Sequence, residues 1–331
     1  MPKVSICVAY YNRSEYVNQC IGSLLGQEYD DFEIIVVNDG SKDENTQIEL
    51  EKLACDRLKI IYQENTGFVG AMRNAIDHAS GEYIAIQGAG DISLPTRIKA
   101  QADYLDKNPD VGLVSCRYEN IVVGGSNDGN TQTYKYPKTD ISIEDILVGS
   151  NPFGHGEVMY RKSLYKRVGG YRPFFRFAQD RDLWLRILPL TKAKILDEVH
   201  YQRCLFTKDG IATNIEKLVL QRFLSVFARQ CYYDRKEFGF DYVDKYGAQA
   251  GLYRKNSKLI RNFCSTKSLQ LFYAGKEEEA RRVLALSLTQ GRNPSNSIVQ
   301  ILLNMAKNTL FSSVLKKIIS MHPRSNYWYQ S

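Results

Sequence analysis

Two segments of this sequence place polar side chains and glycines directly after, or close to, short apolar runs. The first, Asn38-Asp39-Gly40-Ser41, follows the apolar run Ile34–Val37. An aspartate at the end of a strand can accept a hydrogen bond from the N–H group of a nucleotide base, and a glycine lets the chain turn sharply beneath a ligand. The same residues are also common in ordinary turns, so this loop by itself admits both interpretations.

The second segment, residues 64–75, contains two glycines and leads into a helix-like pattern. Glycine allows the backbone to approach a ligand closely, and Arg73, one turn into the helix, can reach a phosphate or a base. The alternative is that Arg73 is an exposed side chain without a ligand.

The elements that must position these segments alternate between strand and helix over the first 115 residues. Short β-rich apolar runs predict strands at Ser5–Ala9, Glu33–Val37, Leu58–Tyr62, Tyr83–Ile86 and Gly112–Cys116. The stretches between them predict helices at about Glu15–Leu25, Asp43–Ala54, Gly70–Ala79 and Pro95–Lys107. Strands separated by helices of about 10–15 residues indicate βαβ units and a parallel sheet. Ligands of such sheets bind at the carboxyl ends of the strands, where both segments described above lie.

The remainder of the chain predicts a less regular segment and then a helical region. Residues 117–150 look irregular, and the turn-rich stretch 124–130 predicts a hairpin or a loop. A short amphipathic helix is predicted at Asp182–Leu188. From about Ile215 the sequence changes to helical patterns, which include Ala280–Leu288 and Ile298–Ile319.

The composition indicates an ordinary folded protein. Of the 331 residues, 44% are hydrophobic and 24% are charged, which excludes disorder over the whole chain. The seven cysteines are odd in number and no two form a CxxC pair, so neither a zinc site nor a disulfide framework is expected. No apolar run approaches the roughly 18–20 residues of a membrane span, and no secretory signal precedes the first strand. We therefore expect a cytoplasmic protein.

The net charge of +7 is concentrated near the C-terminus. From residue 280 onward there are seven basic residues and no acidic ones, so the rest of the chain is balanced. Basic residues interspersed with apolar ones suit an anionic surface such as lipid headgroups. We predict peripheral contact of the C-terminal helices with a membrane and no contact with nucleic acid. Packing on the main domain, a dimer contact and a solvated helix face are the alternatives.

Eight short segments follow one another in an order that is more specific than any one of them. They are Val4–Asn12, Asn38–Asp43, Asn65–Asn74, Gly81–Ile86, Asp91–Pro95, His155–Arg161, Gly169–Arg172 and Gln179–Arg186. This series resembles glycosyltransferase family 2, a large group of nucleotide-sugar transferases, and the resemblance covers about residues 3–210.

The resemblance implies an α/β fold of the Rossmann-like GT-A type, with a mostly parallel central sheet and a C-terminal helical extension. Residues 1–212 would form the transferase domain, with the nucleotide-binding half in 1–115 and the acceptor and catalytic half in 116–212. Residues 213–331 would form the helical region.

The resemblance also implies roles for particular residues. Asp180 would be the general base, which removes the proton of the acceptor hydroxyl as that oxygen attacks the anomeric carbon, in a single displacement with inversion. The alternative for Asp180 is an aspartate stabilised at a helix start. The residues implied to bind the nucleotide sugar are Tyr11, Asn12, Asp39, Asn65, Gly67, Arg73 and Asp91. Those implied on the acceptor side are His155, Gly156 and Trp184.

The implied reaction transfers a sugar from a nucleoside-diphosphate sugar, with a UDP-sugar as the favoured donor. The acceptor would be a hydroxyl of a glycan or of a lipid-linked sugar, as in the assembly of O-antigen, capsule or another cell-surface polysaccharide.

One segment departs from the family pattern. The family usually has Asp-x-Asp-Asp after the fourth strand, where carboxylates bind the ribose and a divalent metal, but this chain has Gly88-Ala89-Gly90-Asp91. The charge of the leaving diphosphate still needs compensation. Either Asp91 alone anchors Mg²⁺ or Mn²⁺, or cations such as Arg73 and Arg97 take the place of the metal. We expect weaker metal dependence than in relatives with both carboxylates.

Two other functions compete with sugar transfer. A non-catalytic nucleotide-sugar-binding or scaffold protein would keep the fold after losing its metal-binding carboxylates, but the retained Gln179-Asp180 pair argues against it. A nucleotidyltransferase with a similar sheet should carry a glycine-rich, basic loop after the first strand, where this chain has Tyr10-Tyr11-Asn12-Arg13.

Overall fold

The computed structural model describes residues 1–149, 151–207 and 214–306, together with residues 311 and 317. The chain divides into two compact units, Met1–Gly210 and Ile211–Ser331. The first unit combines a sheet with helices, and the described part of the second contains helices and no strand. The assignment of residues 1–115 to nucleotide binding and of residues 116–212 to acceptor binding and catalysis stays a prediction.

One mixed sheet organises the first unit. Within the described ranges its ten strands are β1 Val4–Tyr10, β2 Phe32–Asp39, β3 Leu58–Gln63, β4 Tyr83–Gln87, β5 Ile92–Ser93, β6 Val111–Val123, β7 Thr131–Tyr134, β8 Asp140–Ile141, β9 Met159–Arg161 and β10 Lys192–Phe206. The strand order is β3-β2-β1-β4-β9-β6-β10-β5, with β7 paired to β6 and β8 paired to β10. Strands β3, β2, β1 and β4 are parallel, as are β6 and β10, whereas β9 is antiparallel to both β4 and β6. The predicted α/β class with a mostly parallel sheet is confirmed.

Helices connect and cover these strands. In the first unit they are α1 Val17–Leu25, α2 Glu44–Lys52, α3 Gly67–Asp77, α4 Arg97–Lys107, α5 Ile143–Val148, α6 Lys162–Arg167 and α7 Gln179–Ile187. The buried residues of α1, which are Val17, Cys20, Ile21 and Leu24, recur at helical spacing and join the apolar core of β1 and β2. Strands β1, β2 and β4 are buried over nearly their whole length. They therefore read as continuous apolar runs, as expected for parallel strands covered on both faces.

The five strands and four helices predicted before residue 116 are all present, with small shifts at their ends. The prediction that residues 117–150 are irregular is wrong. Strand β6 continues to Val123 and pairs antiparallel with β7, and α5 follows. The turn-rich stretch 124–130 connects β6 to β7, which confirms the predicted hairpin. The sequence pattern here was dominated by turn residues, whereas pairing with a neighbouring strand decides whether a polar segment is extended.

Five helices make up most of the described part of the second unit. They are α8 Ile215–Phe238, α9 Tyr242–Tyr246, α10 Lys258–Tyr273, α11 Glu277–Thr289 and α12 Pro294–Met305. A separate apolar core includes Ile260, Phe272, Val283 and Leu303. Among the helices described, none has both the length and the apolar composition needed to cross a lipid bilayer. The predicted helix Ile298–Ile319 is present in part as α12, and its remainder lies outside the described residues except for positions 311 and 317.

Glycine at position 81 allows the turn before β4 to contact β1. A Cβ atom on Gly81 would lie 2.6 Å from the Ser5 nitrogen and 2.8 Å from the Val4 carbonyl carbon, both of which are backbone atoms of a central strand. We expect Gly81→Ala to lower the free energy of unfolding by about 1–3 kcal/mol because the sheet must shift to accept the methyl group. Urea unfolding followed by circular dichroism measures the change.

The matched control is Gly22→Ala in α1, where a Cβ atom would meet nothing within 4 Å. This variant should gain about 0.5–1 kcal/mol, since alanine favours the helix. Equal stability of the Gly81→Ala protein and the wild type would contradict the close packing at this turn.

Candidate functional site

The carboxyl ends of β2, β1 and β4 lie side by side at one edge of the sheet. The register pairs Tyr10 with Asn38 and Val8 with Gln87, so the loops that follow these strands begin next to one another. Ligands of parallel sheets bind at this edge. The candidate site is therefore built from the loops after β1, β2, β3 and β4.

The Asp39 carboxylate is fixed by the loop after β3. Asp39 ends β2 and is 3% exposed. Its Oδ1 atom accepts hydrogen bonds from Gln63 Nε2 at 2.7 Å and from the Thr66 backbone nitrogen at 2.8 Å, while Asn65 Nδ2 donates to the Asp39 carbonyl at 2.8 Å. Gly40 has a φ of 66°, and a Cβ atom there would lie 2.7 Å from the Asn65 nitrogen. These contacts connect the loop after β2 to the loop after β3. Asp39 is therefore held by more partners than a residue in an ordinary surface turn.

Asn12 connects the loop after β1 to the loop after β2. It has a φ of 56°, its backbone nitrogen donates to Ser41 Oγ at 2.8 Å, and its Oδ1 accepts from the Lys42 nitrogen at 2.9 Å. The neighbouring Tyr11 side chain is 41% exposed, so its ring is accessible beside the loop that holds Asp39.

Two further predicted residues of this half belong to α3. Gly67 begins the helix with a φ of 77° and has no atom within 4 Å of its Cβ position. Arg73 lies further along α3 with an exposed side chain. Burial raises the pKa of Tyr165, and the Arg73 guanidinium opposes that shift, so Arg73 lies near Tyr165.

An aromatic contact connects α3 to the acceptor-side residues. Phe68, in the first turn of α3, meets the His155 ring edge-on with centroids 5.1 Å apart. The His155 ring also packs near Trp184, at 6.3 Å, and its Nε2 lies 2.6 Å from the Tyr171 hydroxyl. Burial lowers the pKa of His155, and the negative charge of Asp180 opposes that shift. The segment that fixes Asp39 is thus linked through Phe68 and His155 to Trp184, which lies on α7 with Asp180.

Asp180 lies in the first turn of α7, after Ala178 with its left-handed φ of 55°. Backbone strain of this kind in a residue other than glycine is often found at functional sites. Asn151 Nδ2 donates to Asp180 Oδ2 at 2.8 Å. Trp184, one turn later, is fully buried, and its indole nitrogen lacks a hydrogen-bond partner among the described residues.

Asp182, two residues after Asp180, has a different function. Its carboxylate is 2% exposed and pairs with Arg186 at 2.7 Å and with Arg172. Burial would raise its pKa, but the two guanidinium groups outweigh burial and lower it. Asp182 therefore anchors α7, whereas the half-buried Asp180 is the carboxylate of this motif that accepts a hydrogen bond from Asn151.

Asp91 is directed into the protein. It is 9% exposed, and both of its carboxylate oxygens accept hydrogen bonds, Oδ2 from the Tyr201 hydroxyl at 2.6 Å and Oδ1 from the Cys204 nitrogen at 2.8 Å. Burial raises the pKa of Asp91. The described residues contain no group of three His, Cys, Asp or Glu side chains arranged to hold a metal ion. This geometry does not fit the prediction that Asp91 anchors Mg²⁺ or Mn²⁺.

Glycines are required around that carboxylate. A Cβ atom on Gly88 would lie 2.1 Å from Asp91 Oδ2, and one on Gly156 would lie 2.1 Å from the Tyr201 hydroxyl oxygen. Gly156, predicted on the acceptor side, thus packs against the Tyr201–Asp91 pair and accepts a hydrogen bond from Arg97 through its carbonyl at 2.8 Å.

The expectation that Arg97 compensates phosphate charge is wrong. Its side chain is fully buried and donates to Gln87 Oε1 at 3.0 Å, to Ser93 Oγ at 2.7 Å and to the Ile86 carbonyl at 2.7 Å. Arg97 is a structural residue of the core. The sequence could not reveal this, because its partners come together only in the folded sheet.

Three residues of the site were missed by sequence reasoning. Tyr201 and Asn151 reach their partners across 110 and 29 residues of sequence, and no local pattern marked either one. Arg13 did carry a signal, since it is a lone cation directly after the first strand. It has a φ of 66°, and its guanidinium donates to the Ala89 carbonyl at 2.8 Å and lies 4.2 Å from the Phe206 ring centroid.

Sequence comparison finds relatives that are named as glycosyltransferases and as a polysaccharide synthase. Residues 5–169, about half of the chain, match Glycosyl transferase family 2. An uncharacterized glycosyltransferase of Rickettsia typhi is 34% identical over 205 residues, covering 60% of this chain and 62% of that protein. The putative glycosyltransferase EpsE of Bacillus subtilis is 31% identical over 193 residues, covering 56% of this chain and 66% of that protein. Hyaluronan synthase of Pasteurella multocida is 26% identical over 341 residues, covering 97% of this chain and 34% of that protein. The chain thus spans less than two thirds of the length of these relatives.

Solved structures confirm the fold. Residues 1–349 of TarS from S. aureus, in complex with UDP, match with a TM-score of 0.54 at 18% identity, covering 95% of this chain and 90% of that one. The mannosyltransferase PcManGT from Pyrobaculum calidifontis, in complex with GDP-Man and Mn²⁺, matches with a TM-score of 0.51 at 17% identity, covering 97% of this chain and 87% of that one. At these identities the likeness shows the fold alone, which is the predicted GT-A type.

The hydroxyl of Tyr201 should contribute measurably to stability. Tyr201→Phe leaves Asp91 Oδ2 and the Gly88 N–H group, which is 3.0 Å from the hydroxyl oxygen, without that partner in a buried position. We expect a loss of about 1–3 kcal/mol in the free energy of unfolding. The control is Tyr62→Phe, whose hydroxyl bonds Glu51 at an exposed position and should matter by less than about 0.5 kcal/mol. Urea unfolding that ranks the two variants equally would show that the Tyr201–Asp91 bond is dispensable.

Proposed function

Because the chain belongs to Glycosyl transferase family 2, we propose that it transfers a sugar from a nucleoside-diphosphate sugar to a hydroxyl of a glycan or lipid-linked acceptor, in the synthesis of a cell-surface polysaccharide. The observation that carries the proposal is the series of ring contacts from Phe68, just after the loop that fixes Asp39, through His155 to Trp184, which lies one turn after Asp180 on α7. A donor-binding carboxylate and a catalytic carboxylate must face one substrate, and this link supports their proximity.

Asp39, Asn12 and Tyr11 bind the nucleoside in this proposal. The buried Asp39 carboxylate is held by Gln63 and Thr66, so it needs no reorganisation to accept a hydrogen bond from a base N–H. The Tyr11 ring is exposed beside it for stacking on a base or ribose. A uridine nucleotide is the favoured donor, and the UDP complex of the similarly folded TarS supports that choice.

Asp180 is the general base. The acceptor oxygen attacks the anomeric carbon as its proton passes to the Asp180 carboxylate, and the bond between that carbon and the phosphate oxygen breaks. The nucleoside diphosphate leaves with the bonding electron pair, which inverts the anomeric configuration. Positioned proton transfer of this type contributes about 10²–10⁴-fold to a rate. The hydrogen bond from Asn151 orients the carboxylate for this step.

His155 and Trp184 form the wall on the acceptor side. Burial lowers the pKa of His155, which favours its neutral imidazole on this side of the site.

A non-catalytic nucleotide-sugar-binding protein is the second candidate function. The observation that favours it is the Gly88-Ala89-Gly90 segment together with the enclosed Asp91. The retained Asp180, with its orienting partner Asn151, favours catalysis.

Substitution of the general base distinguishes the two functions. We expect Asp180→Asn to lower kcat by about 10²–10⁴-fold while nucleotide affinity stays the same, because the amide keeps the shape and loses the basicity. Turnover with radiolabelled UDP-sugars and calorimetry with UDP are the two measurements. The control is Asp197→Asn, a carboxylate that is 69% exposed and paired with Arg117. Turnover that is the same in wild type and Asp180→Asn would contradict the assigned base, and binding without any turnover in the wild type would favour the second candidate.

Contact with a membrane stays a prediction for the second unit. Helix α12 exposes Ile298, Ile301 and Met305, which share one face at helical spacing. We expect the full chain to float with anionic liposomes and an Ile298→Glu/Ile301→Glu variant to float less, because burial of apolar side chains in the bilayer interface drives such binding. Flotation that is equal for both proteins would rule out this face as the contact.

A further inference from the structure

The Gly88–Asp91 segment begins directly after β4, at the edge of the sheet where the loop after β1 also begins. Strands β1 and β4 are adjacent and parallel, with Val8 opposite Gln87. Any charged group of a donor that binds beside Tyr11 and Asp39 therefore lies within reach of both loops. The question is which of them supplies positive charge.

The loop after β4 does not supply a ligand set for a divalent ion. Mg²⁺ and Mn²⁺ prefer about six oxygen ligands, at least one of them usually a carboxylate. Here Asp91 is 9% exposed, and each of its oxygens accepts a hydrogen bond inside the protein, from the Tyr201 hydroxyl and from the Cys204 nitrogen. A side chain at position 88 would collide with Asp91 Oδ2, at 2.1 Å from its Cβ atom. In this conformation of Asp91, a side chain at position 88 therefore requires the Asp91 carboxylate to move.

The loop after β1 places the positively charged side chain of Arg13 beside the Gly88–Asp91 segment. The Arg13 guanidinium donates to the carbonyl of Ala89, at the centre of the segment without carboxylates, and lies over the Phe206 ring. Gly90 allows the same ring to approach the backbone, because a Cβ atom there would lie 2.7 Å from Phe206 Cζ. Burial raises the pKa of Asp91 and of Cys204, and the positive charge of Arg13 opposes both shifts.

We propose that Arg13 takes the place of a divalent metal ion and binds the diphosphate of the donor, so that donor binding is independent of metal. This inference rests on the proposed function. A guanidinium group presents five N–H donors in a planar fork that matches phosphate oxygens. Hydrogen bonds between a guanidinium and a phosphate are about twice as strong as those between neutral groups.

Calorimetry with UDP and with uridine tests the proposal, because the two ligands differ only in the diphosphate. Wild-type affinity for UDP should agree within about twofold in excess EDTA and in Mn²⁺, since the ion adds no contact of its own. Arg13→Gln should weaken UDP binding by about 10- to 100-fold and leave uridine binding unchanged. Arg13→Lys, which keeps the charge, should recover part of the loss. The matched control is Arg57→Gln, an arginine that is 43% exposed and stacked on Phe32, and it should bind both ligands like the wild type.

Three other results would contradict either the role of Arg13 or the function on which it rests. UDP binding that requires Mn²⁺ would overturn the role of Arg13 and leave the transferase proposal intact. Equal weakening of UDP and uridine in Arg13→Gln would show a structural role and also overturn it. Failure of the wild type to bind UDP, GDP or dTDP under either condition would contradict the proposed function itself. Circular dichroism melting of each variant confirms that loss of binding is not loss of fold.

Discussion

The buried hydrogen bond between the Tyr201 hydroxyl and Asp91 is the interaction on which the candidate site depends. It joins β10 to the loop after β4, and the same hydroxyl accepts a hydrogen bond from the Gly88 nitrogen. Arg97 lies over the Tyr201 ring, at 4.8 Å from its centroid, and extends the polar network into the core. In a low-dielectric interior each unpaired member of such a network is costly, so the network persists as a whole or not at all.

This network also limits the chemistry of the loop. Glycine is required at positions 88 and 156 because side chains there would displace the hydroxyl or the carboxylate. The Asp91 carboxylate is thus directed away from the surface. Arg13 reaches the same loop from the end of β1. Under the proposed function, the packing of Asp91 and the position of Arg13 together set the charge that a donor meets at this loop.

The surroundings of α7 distinguish two carboxylates that lie two residues apart. Asp182 is neutralised by Arg172 and Arg186 and holds α7 in place, which leaves Asp180 beside Asn151 at the start of the helix whose Trp184 packs near His155. Phe68, at the start of α3, contacts His155 and so links this region to the loops that hold Asp39. Separate loops, widely spaced in sequence, thus come together because they follow neighbouring elements of one fold.

The sequence alone determined the alternation of strands and helices, the family resemblance and the loops that surround the site, since hydrophobic periodicity and the order of short motifs are local properties. It could not determine that Asp91 and Arg97 are directed inward, that residues 117–123 extend β6, or that Arg13 meets Ala89. Those outcomes depend on partners 76 to 113 residues away for Arg13 and Asp91 and on strand pairing for β6. The chemical type of a side chain is fixed by the sequence. Only tertiary packing decides whether its charge is paired with groups in the core or is exposed where a substrate can bind.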